Sequence, residues 1–293
     1  RKVKKNFLFQ SNENLYLKKI FKKIPQNKKR RIINLAKKRV SERFRGKYSS
    51  DYSYVTKSPF GQIKKKNFLI KNKRIKVLIA SHAFIDAPHA LGNHLFPDFY
   101  VWFNYICKLS KKTDYDWYVK THPDFGSDWS FYINHERNVV KSILKKFDNI
   151  KLLPKEVTHN QLCSEGIDAV LTVHGTVGLD YAMLKIPTIN ASKFNPHVNY
   201  NFNFHPKNIY QYKKIILNLK KYLKDKKISK KEILEFYAMK NIFFSKNWLF
   251  KDFEKTIYDL KSYHNLWSLD FYDYWLKNFK VSHDKELRND IKK

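Results

Sequence analysis

Residues 169–182 read Ala-Val-Leu-Thr-Val-His-Gly-Thr-Val-Gly-Leu-Asp-Tyr-Ala, and this stretch decides the fold. A short apolar, β-branched run leads into a turn with glycine and then into a helical pattern, which predicts a strand followed directly by a helix. A junction of this kind directs backbone N–H groups and the positive end of the helix dipole towards an anion. We therefore expect a phosphorylated ligand to bind at this turn.

The residues of the turn fit that expectation. Glycine lets the backbone approach a phosphate, and Thr176 can cap the helix or donate to a phosphate oxygen. Asp180 lies one turn into the helix, where its carboxylate can accept ribose hydroxyls. The same residues would also form a tight turn with Thr176 as N-cap and no ligand, and both interpretations stay open. The predicted binding residues are His174, Gly175, Thr176, Val177, Gly178 and Asp180.

A second junction lies upstream, where Asp-Trp-Tyr-Val-Lys at 116–120 runs into Thr-His-Pro-Asp at 121–124. Lys120 supplies a cation, and Pro123 restricts the backbone next to His122. An imidazole here can neutralise a departing phosphate or donate a proton to it. We predict that Lys120, His122 and Pro123 bind phosphate and that His122 is also catalytic. The alternative is a histidine that caps neighbouring backbone.

A third cluster, Ser-His-Ala-Phe-Ile-Asp-Ala-Pro-His at 81–89, follows the first predicted strand. We predict Asp86 as the base or transition-state stabiliser, His82 as a further catalytic residue and His89 as a substrate ligand. Metal binding is an alternative because His and Asp are common ligands, but the spacing matches no zinc pattern. The prediction is therefore for no metal and no obligatory cofactor.

The fold follows from the alternation of apolar runs and helical patterns after residue 74, which is typical of βαβ units and a parallel sheet. The predicted strands are 76–81, 116–120, 150–153, 169–173 and 188–190, and the predicted helices are 98–110, 134–147, 160–165 and 177–185. The fold class is α/β, a doubly wound parallel sheet with helical N- and C-terminal extensions. Because parallel strands end at the same edge of a sheet, the three junctions should form one site.

Three segments are predicted. Residues 1–73 form a basic helical segment and linker, residues 74–206 form the ligand-binding sheet domain, and residues 207–293 form helices that pack on it. The aromatic stretches 99–105 and 267–275 are expected to be helix faces in the core. The chain begins without Met, and we expect it to be the later part of a longer protein.

Composition limits the class of partner. The chain of 293 residues has 59 Lys and Arg against 26 Asp and Glu, a net charge of +33. Such a surplus fits nucleic acid, an anionic membrane face or phosphorylated substrates, although a lysine-rich compositional bias is the favoured main cause. The two cysteines have no metal-ligand spacing, and no apolar run is long enough to cross a membrane. The sequence predicts a cytoplasmic protein, at most peripheral to the inner membrane.

These motifs resemble a known group. Lys-x-His-Pro at 120–123, Gly-Thr-Val-Gly-x-Asp at 175–180 and Ile-Pro-Thr-Ile at 186–189 are similar in order and type to the bacterial capsule and lipopolysaccharide biosynthesis glycosyltransferases, and most similar to the group related to the capsular Kdo transferases. The resemblance spans residues 74–195. It implies the Rossmann-like donor domain of a GT-B enzyme, with residues 1–73 as a reduced or truncated acceptor domain.

The resemblance also implies a role for the matching residues. Lys120, His122 and Thr176 would bind the phosphate of a nucleotide sugar, with a CMP-activated acidic sugar such as Kdo favoured over a UDP-sugar, and Asp180 would stand where the family usually has Glu. The predicted enzyme is a metal-independent glycosyltransferase with a saccharide or lipid-linked acceptor. The alternatives are a polyol-phosphate transferase, another nucleotide-sugar enzyme, and a basic nucleic-acid-binding protein.

Overall fold

The computed structural model describes residues 11–46, 59–84, 94–121, 130–243, 259 and 269–278. The strands are β1 (Lys76–Ala80), β2 (Asp116–Lys120), β3 (Ile150–Leu152), β4 (Ala169–Thr172) and β5 (Thr188–Asn190). The helices are α1 (Ser11–Lys23), α2 (Gln26–Phe44), α3 (Phe99–Ser110), α4 (Ser130–Leu144), α5 (His159–Ser164), α6 (Val177–Met183), α7 (Ile209–Leu217), α8 (Leu219–Asp225), α9 (Lys230–Ala238) and α10 (Leu269–Asn278). A π-helical turn, Met239–Phe243, directly follows α9.

The strands form one parallel sheet in the order β3-β2-β1-β4-β5. The chain builds outward from β1 to β3 and then returns to add β4 on the other side of β1. This reversal makes a topological switch point between β1 and β4, and doubly wound folds bind ligands at the carboxyl ends of the strands there. The predicted α/β class, a doubly wound parallel sheet with helical extensions, is confirmed.

Both faces of the sheet are covered, which is why its strands read as unbroken apolar runs. On one face, Val77, Ile79 and Leu171 pack with α3, α4, α7 and α8. On the other face, Leu78 and Val170 pack with α5, α6 and the irregular segment before β1. A ligand of this sheet is therefore expected at its carboxyl edge, beside the switch point.

A further layer of helices comes from both ends of the described chain. Leu17 of α1 and Ile32 of α2 are buried against α9, where Tyr237 is also buried. The same cluster includes Leu179 of α6, so α1, α2 and α9 lie outside α6 and not directly on the sheet. The residues predicted as an N-terminal segment thus pack together with residues predicted as C-terminal helices.

Local signals set the helix starts. Asp98 accepts a hydrogen bond from the backbone of Val101 at the start of α3 (2.7 Å), and Ser229 accepts one from Glu232 at the start of α9 (3.4 Å). Both are N-caps that satisfy backbone donors left free by the first turn of a helix. The predicted strand and helix bounds agree with the structure within about one turn.

The aromatic stretches had different outcomes. Phe99, Trp102 and Phe103 of α3 are buried in the core, as expected. The expectation for 267–275 is wrong within α10, because Leu269 is 82% exposed and Tyr272 is 59% exposed. Amphipathic spacing predicts a helix with an apolar face, but it does not specify what covers that face.

Candidate functional site

The three strands that precede the predicted junctions end at the same carboxyl edge of the sheet. Ala80 of β1 is paired with Lys120 of β2, and Ile79 of β1 is paired with Leu171 of β4. The residues after these strands therefore lie side by side over two strand spacings, about 10 Å. This edge is the candidate ligand site.

His82 connects β1 and β4 across the switch point. Its Nε2 accepts hydrogen bonds from the backbone N–H groups of Val173 and His174, each at 3.2 Å, and lies 3.0 Å from Oγ1 of Thr172. Its ring stacks on Phe99, with centroids 4.4 Å apart. Through these contacts Nε2 of His82 holds the turn after β4 in place. The catalytic role of His82 stays a prediction.

The turn after β4 has the backbone shape that the sequence indicated. Gly175 has φ +108°, a conformation that L side chains rarely adopt, and Thr176 after it is exposed. Thr176 is the N-cap residue of α6, but its side chain makes no capping bond. Because α6 has seven residues, the anion-binding power expected from its dipole is small. Charge for a phosphate must therefore come from side chains.

Gly178 has a packing role. A Cβ added to it would lie 2.6 Å from Nε2 of His197 and 3.2 Å from Oγ1 of Thr188. Glycine is therefore required so that the His197 ring can pack against α6. The predicted contact of Gly178 with phosphate stays a prediction. The close packing of His197 is a separate reason for glycine at this position.

Asp180 is engaged by an arginine. Its two carboxylate oxygens accept hydrogen bonds from Nε and Nη2 of Arg43, both at 2.9 Å, and its side chain is 3% exposed. This bidentate pair joins the end of α2 to α6. Both oxygens of Asp180 thus have a partner within the protein, and the burial of this side chain leaves a ribose hydroxyl little access to it.

Lys120 lies at the end of β2 in a region rich in positive charge. Its Nζ donates to the backbone oxygen of Lys155 (3.1 Å). Burial and the nearby Arg137 lower the pKa of Lys120 to about 8, and Glu156 offsets this in part. Lys120 keeps its proton at neutral pH, and an anion beside it would relieve the repulsion from Arg137.

Two residues that sequence reasoning missed support this edge. Nη1 of Arg137 donates to Thr121 (3.0 Å), and its Nη2 donates to the backbone oxygen of Leu153 (2.9 Å). The buried carboxylate of Glu136 accepts from Ser81 (3.4 Å) and from the backbone of Phe84 (3.1 Å). Both lie on α4, and adjacent charges on a helix give no sequence signal for contacts with strand ends.

A layer of neutral histidines lies below the turn after β4. Burial, His94 and Lys240 lower the pKa of His174 to about 4, against a smaller raising effect from the Phe194 backbone. His197 is 1% exposed, and its ring packs on that of His205, with centroids 5.2 Å apart. In the described part of the chain no group of three or more His, Cys, Asp or Glu side chains is arranged to hold a metal ion.

Four predicted site residues lie outside the described residues. They are Asp86, His89, His122 and Pro123. Their roles as catalytic, substrate-binding and phosphate-binding residues stay predictions. Val177, the remaining predicted residue, is half-buried at the start of α6 and joins the core on the second face of the sheet.

The fold and site together define a Rossmann-like α/β protein with a candidate anion site at its switch point. No protein-family model matches the chain, and no curated protein matches it. A solved structure described as "Thermosulfurimonas dismutans KpsC, beta Kdo 2,4 transferase" matches with a TM-score of 0.43 and 15% identity. The match covers 71% of this chain and 55% of that one, so the chain spans just over half of that length.

Proposed function

We propose that this protein is a glycosyltransferase that uses a nucleotide sugar, and that the switch-point edge binds the donor phosphate. The observation that supports the proposal is that Lys120 ends β2, and Gly175 and Thr176 follow β4, at the same edge of the sheet with β1 between them. Nucleotides bind at switch points of doubly wound sheets, where a glycine turn lets the backbone approach the phosphate.

Each residue has a defined part in this proposal. Lys120, with Arg137 behind it, supplies positive charge for the donor phosphate and for the charge that develops on the leaving nucleotide. Gly175 and Thr176 supply backbone N–H groups and a hydroxyl. His122 donates a proton or a hydrogen bond to the leaving phosphate, and Asp86 acts at the anomeric carbon or the acceptor hydroxyl. No metal is required in this scheme.

The finer assignments are also proposals. A CMP-activated acidic sugar such as Kdo is the favoured donor, and a surface saccharide or lipid-linked molecule is the favoured acceptor, both from the motif resemblance at residues 120–123 and 175–180. A polyol-phosphate transferase would use the same phosphate site. Product analysis separates the two, because a glycosyltransferase extends a saccharide and releases the nucleotide, whereas the other enzyme transfers a phosphate-bearing polyol.

The donor site is tested by thermal unfolding with CMP, UDP, GDP and ADP. A nucleotide that binds the folded state alone adds about 2.7 kcal/mol to the free energy of unfolding at a concentration of about 100 Kd. We expect one of the four, CMP first, to raise Tm, and Lys120→Met to remove most of that rise. His122→Ala should abolish sugar transfer while the protein stays folded.

Lys151→Met is the matched control. Lys151 is also a strand lysine whose Nζ donates to a backbone oxygen, that of Phe68 (2.9 Å), but it lies on β3 away from the switch point. This variant should keep the full nucleotide effect on Tm. A protein that responds to none of the four nucleotides, or a Lys120→Met variant that responds as the wild type does, would contradict the proposed donor site.

A further inference from the structure

The outward sides of α1 and α2 form a strongly basic surface. Residues 16–46 contain 13 Lys and Arg and one Glu, against 59 Lys and Arg in the 293 residues of the chain. The inner sides of both helices are buried against α9. The exposed cations, which we call the basic helix face, are Lys19, Lys22, Lys23, Lys28, Arg30, Arg31, Lys37, Lys38 and Arg45.

A second basic surface provides a comparison within the same molecule. Residues 207–227, which include α7 and α8, contain eight Lys and one Asp, a similar density. They pack on the opposite face of the sheet from α6, with α3. Lys214 and Lys226 there line a groove of about 610 Å³. The two surfaces therefore lie on different sides of the protein and differ in shape.

The basic helix face has the features that an anionic bilayer favours. It includes arginines, whose planar guanidinium groups bind phosphate oxygens in pairs, whereas the second surface has lysines alone. Its main element, α2, has 19 residues and thus extends for about 28 Å, with cations along its outer side. Tyr16 is 49% exposed and Leu35 is 38% exposed among these cations. Side chains of this kind enter the headgroup region of a membrane.

We propose that the basic helix face binds the headgroup phosphates of an anionic membrane. Clusters of four to eight Lys and Arg on an amphipathic helix attract anionic lipids. A nucleic acid also offers phosphates, but its backbone gives the exposed Leu35 no apolar surface to contact. The groove beside α7 and α8 is concave, so a flat bilayer does not fit it.

The position of α2 relates this surface to the candidate site. Arg43, near the carboxyl end of α2, is bonded to Asp180 in α6, and the turn that precedes α6 forms part of the switch-point edge. A protein docked by α2 therefore holds that edge close to the bilayer. The consequence for a lipid-linked acceptor rests on the proposed function. The proposal that the basic helix face binds an anionic membrane does not.

Vesicle sedimentation tests the proposal without any nucleotide. The full chain is mixed with vesicles of phosphatidylcholine containing one quarter phosphatidylglycerol, and with pure phosphatidylcholine. We expect binding to the anionic vesicles alone, weakened by added salt. Replacing Arg30, Arg31, Lys37 and Lys38 by Glu should lower the partition coefficient at least about 100-fold. These side chains are exposed, so circular dichroism and Tm should match the wild type.

The control reverses the same amount of charge on the second surface. Its substitutions are Lys213→Glu, Lys220→Glu, Lys221→Glu and Lys224→Glu, all at exposed positions. This control should keep most of the vesicle binding. Equal losses in the two variants would show that total charge binds the vesicles, and the proposal would fail. It would also fail if the wild type ignored anionic vesicles, or bound an RNA or DNA duplex through the same face and no vesicles.

Discussion

At the scale of single residues, the contact between Gly178 and His197 constrains the helix next to the candidate site. The sequence indicated a phosphate role for this glycine because a glycine lets the backbone approach a phosphate. The structure shows that a Cβ here would lie 2.6 Å from the imidazole Nε2. A glycine motif does not show which glycine lies against a ligand and which lies against another side chain. For Gly178 the answer depends on His197, about 20 positions further along the chain.

Gly178→Ala should therefore destabilise the protein. Overpacking of this kind costs about 1–3 kcal/mol, although alanine is the better helix former by about 1 kcal/mol. The measurement is urea denaturation of Gly178→Ala alone and in a His197→Ala background. We expect the cost to vanish when the ring is absent. A cost that is equal in both backgrounds would show that the His197 contact is not its cause.

His82 is a second residue whose contacts could not be predicted from the local sequence. Its place after β1 was predicted from the cluster at 81–89, and its position at the switch point follows from the topology. Its Nε2 accepts from the backbone of Val173 and His174, which lie about 90 residues further along the chain. No local pattern reports such a bond, since it exists only after β1 and β4 have become neighbours.

At the scale of elements, α2 is joined to α6 by a buried ion pair. Arg43 and Asp180 form two parallel hydrogen bonds, and their side chains are 10% and 3% exposed. From the sequence, Arg43 was one of many cations in a basic segment, and Asp180 was a candidate ribose ligand. The ion pair gives Arg43, one of those cations, a structural role.

Removing one partner of this pair should be costly. Arg43→Met leaves the Asp180 carboxylate buried without its partner, and we expect a loss of about 3–5 kcal/mol in the free energy of unfolding. The double variant Arg43→Met with Asp180→Asn should recover much of that loss, because no buried charge is left. Urea denaturation of the single and double variants measures both values.

A neighbouring arginine provides the control for that prediction. Arg39 lies one turn earlier on α2 and donates to the backbone oxygen of Asn241 at 3.3 Å, in a half-buried position. Arg39→Met should cost less than Arg43→Met, because it leaves no buried charge without its partner. If Arg43→Met cost no more than this control, the buried ion pair would not be the contact that stabilises the packing of α2 on α6.

At the scale of the whole molecule, buried neutral histidines make stability depend on pH. Burial and nearby positive groups lower the pKa of His174 to about 4 and that of His205 to about 3. Below pH 6.5 the unfolded chain binds protons at these residues and the folded protein does not. The free energy of unfolding is therefore highest above pH 6.5 and falls as the pH decreases towards the folded pKa values.

The fall from pH 7 to pH 5.5 should be about 1 kcal/mol for each such histidine. Most carboxylates stay ionised over this range, so histidines dominate the change. Urea denaturation at the two pH values measures it, and His174→Gln should reduce it. His135→Gln, at an exposed position, should not. An unchanged stability between pH 7 and pH 5.5 would contradict the neutral, buried state of these rings.

The sequence by itself determined the α/β class, the strand at residues 116–120 and the strand-to-helix junction at residues 169–182. Apolar runs, glycine turns and N-caps each lie within a short segment of the chain. The strands, turns and helix starts that they specify can therefore be predicted from the sequence alone. The tertiary structure alone decided which side chains meet: Arg43 with Asp180, His197 with Gly178, and Arg137 with the end of β2. Those contacts depend on strand order and on helices from distant parts of the chain packing together, and no short-range pattern encodes that arrangement.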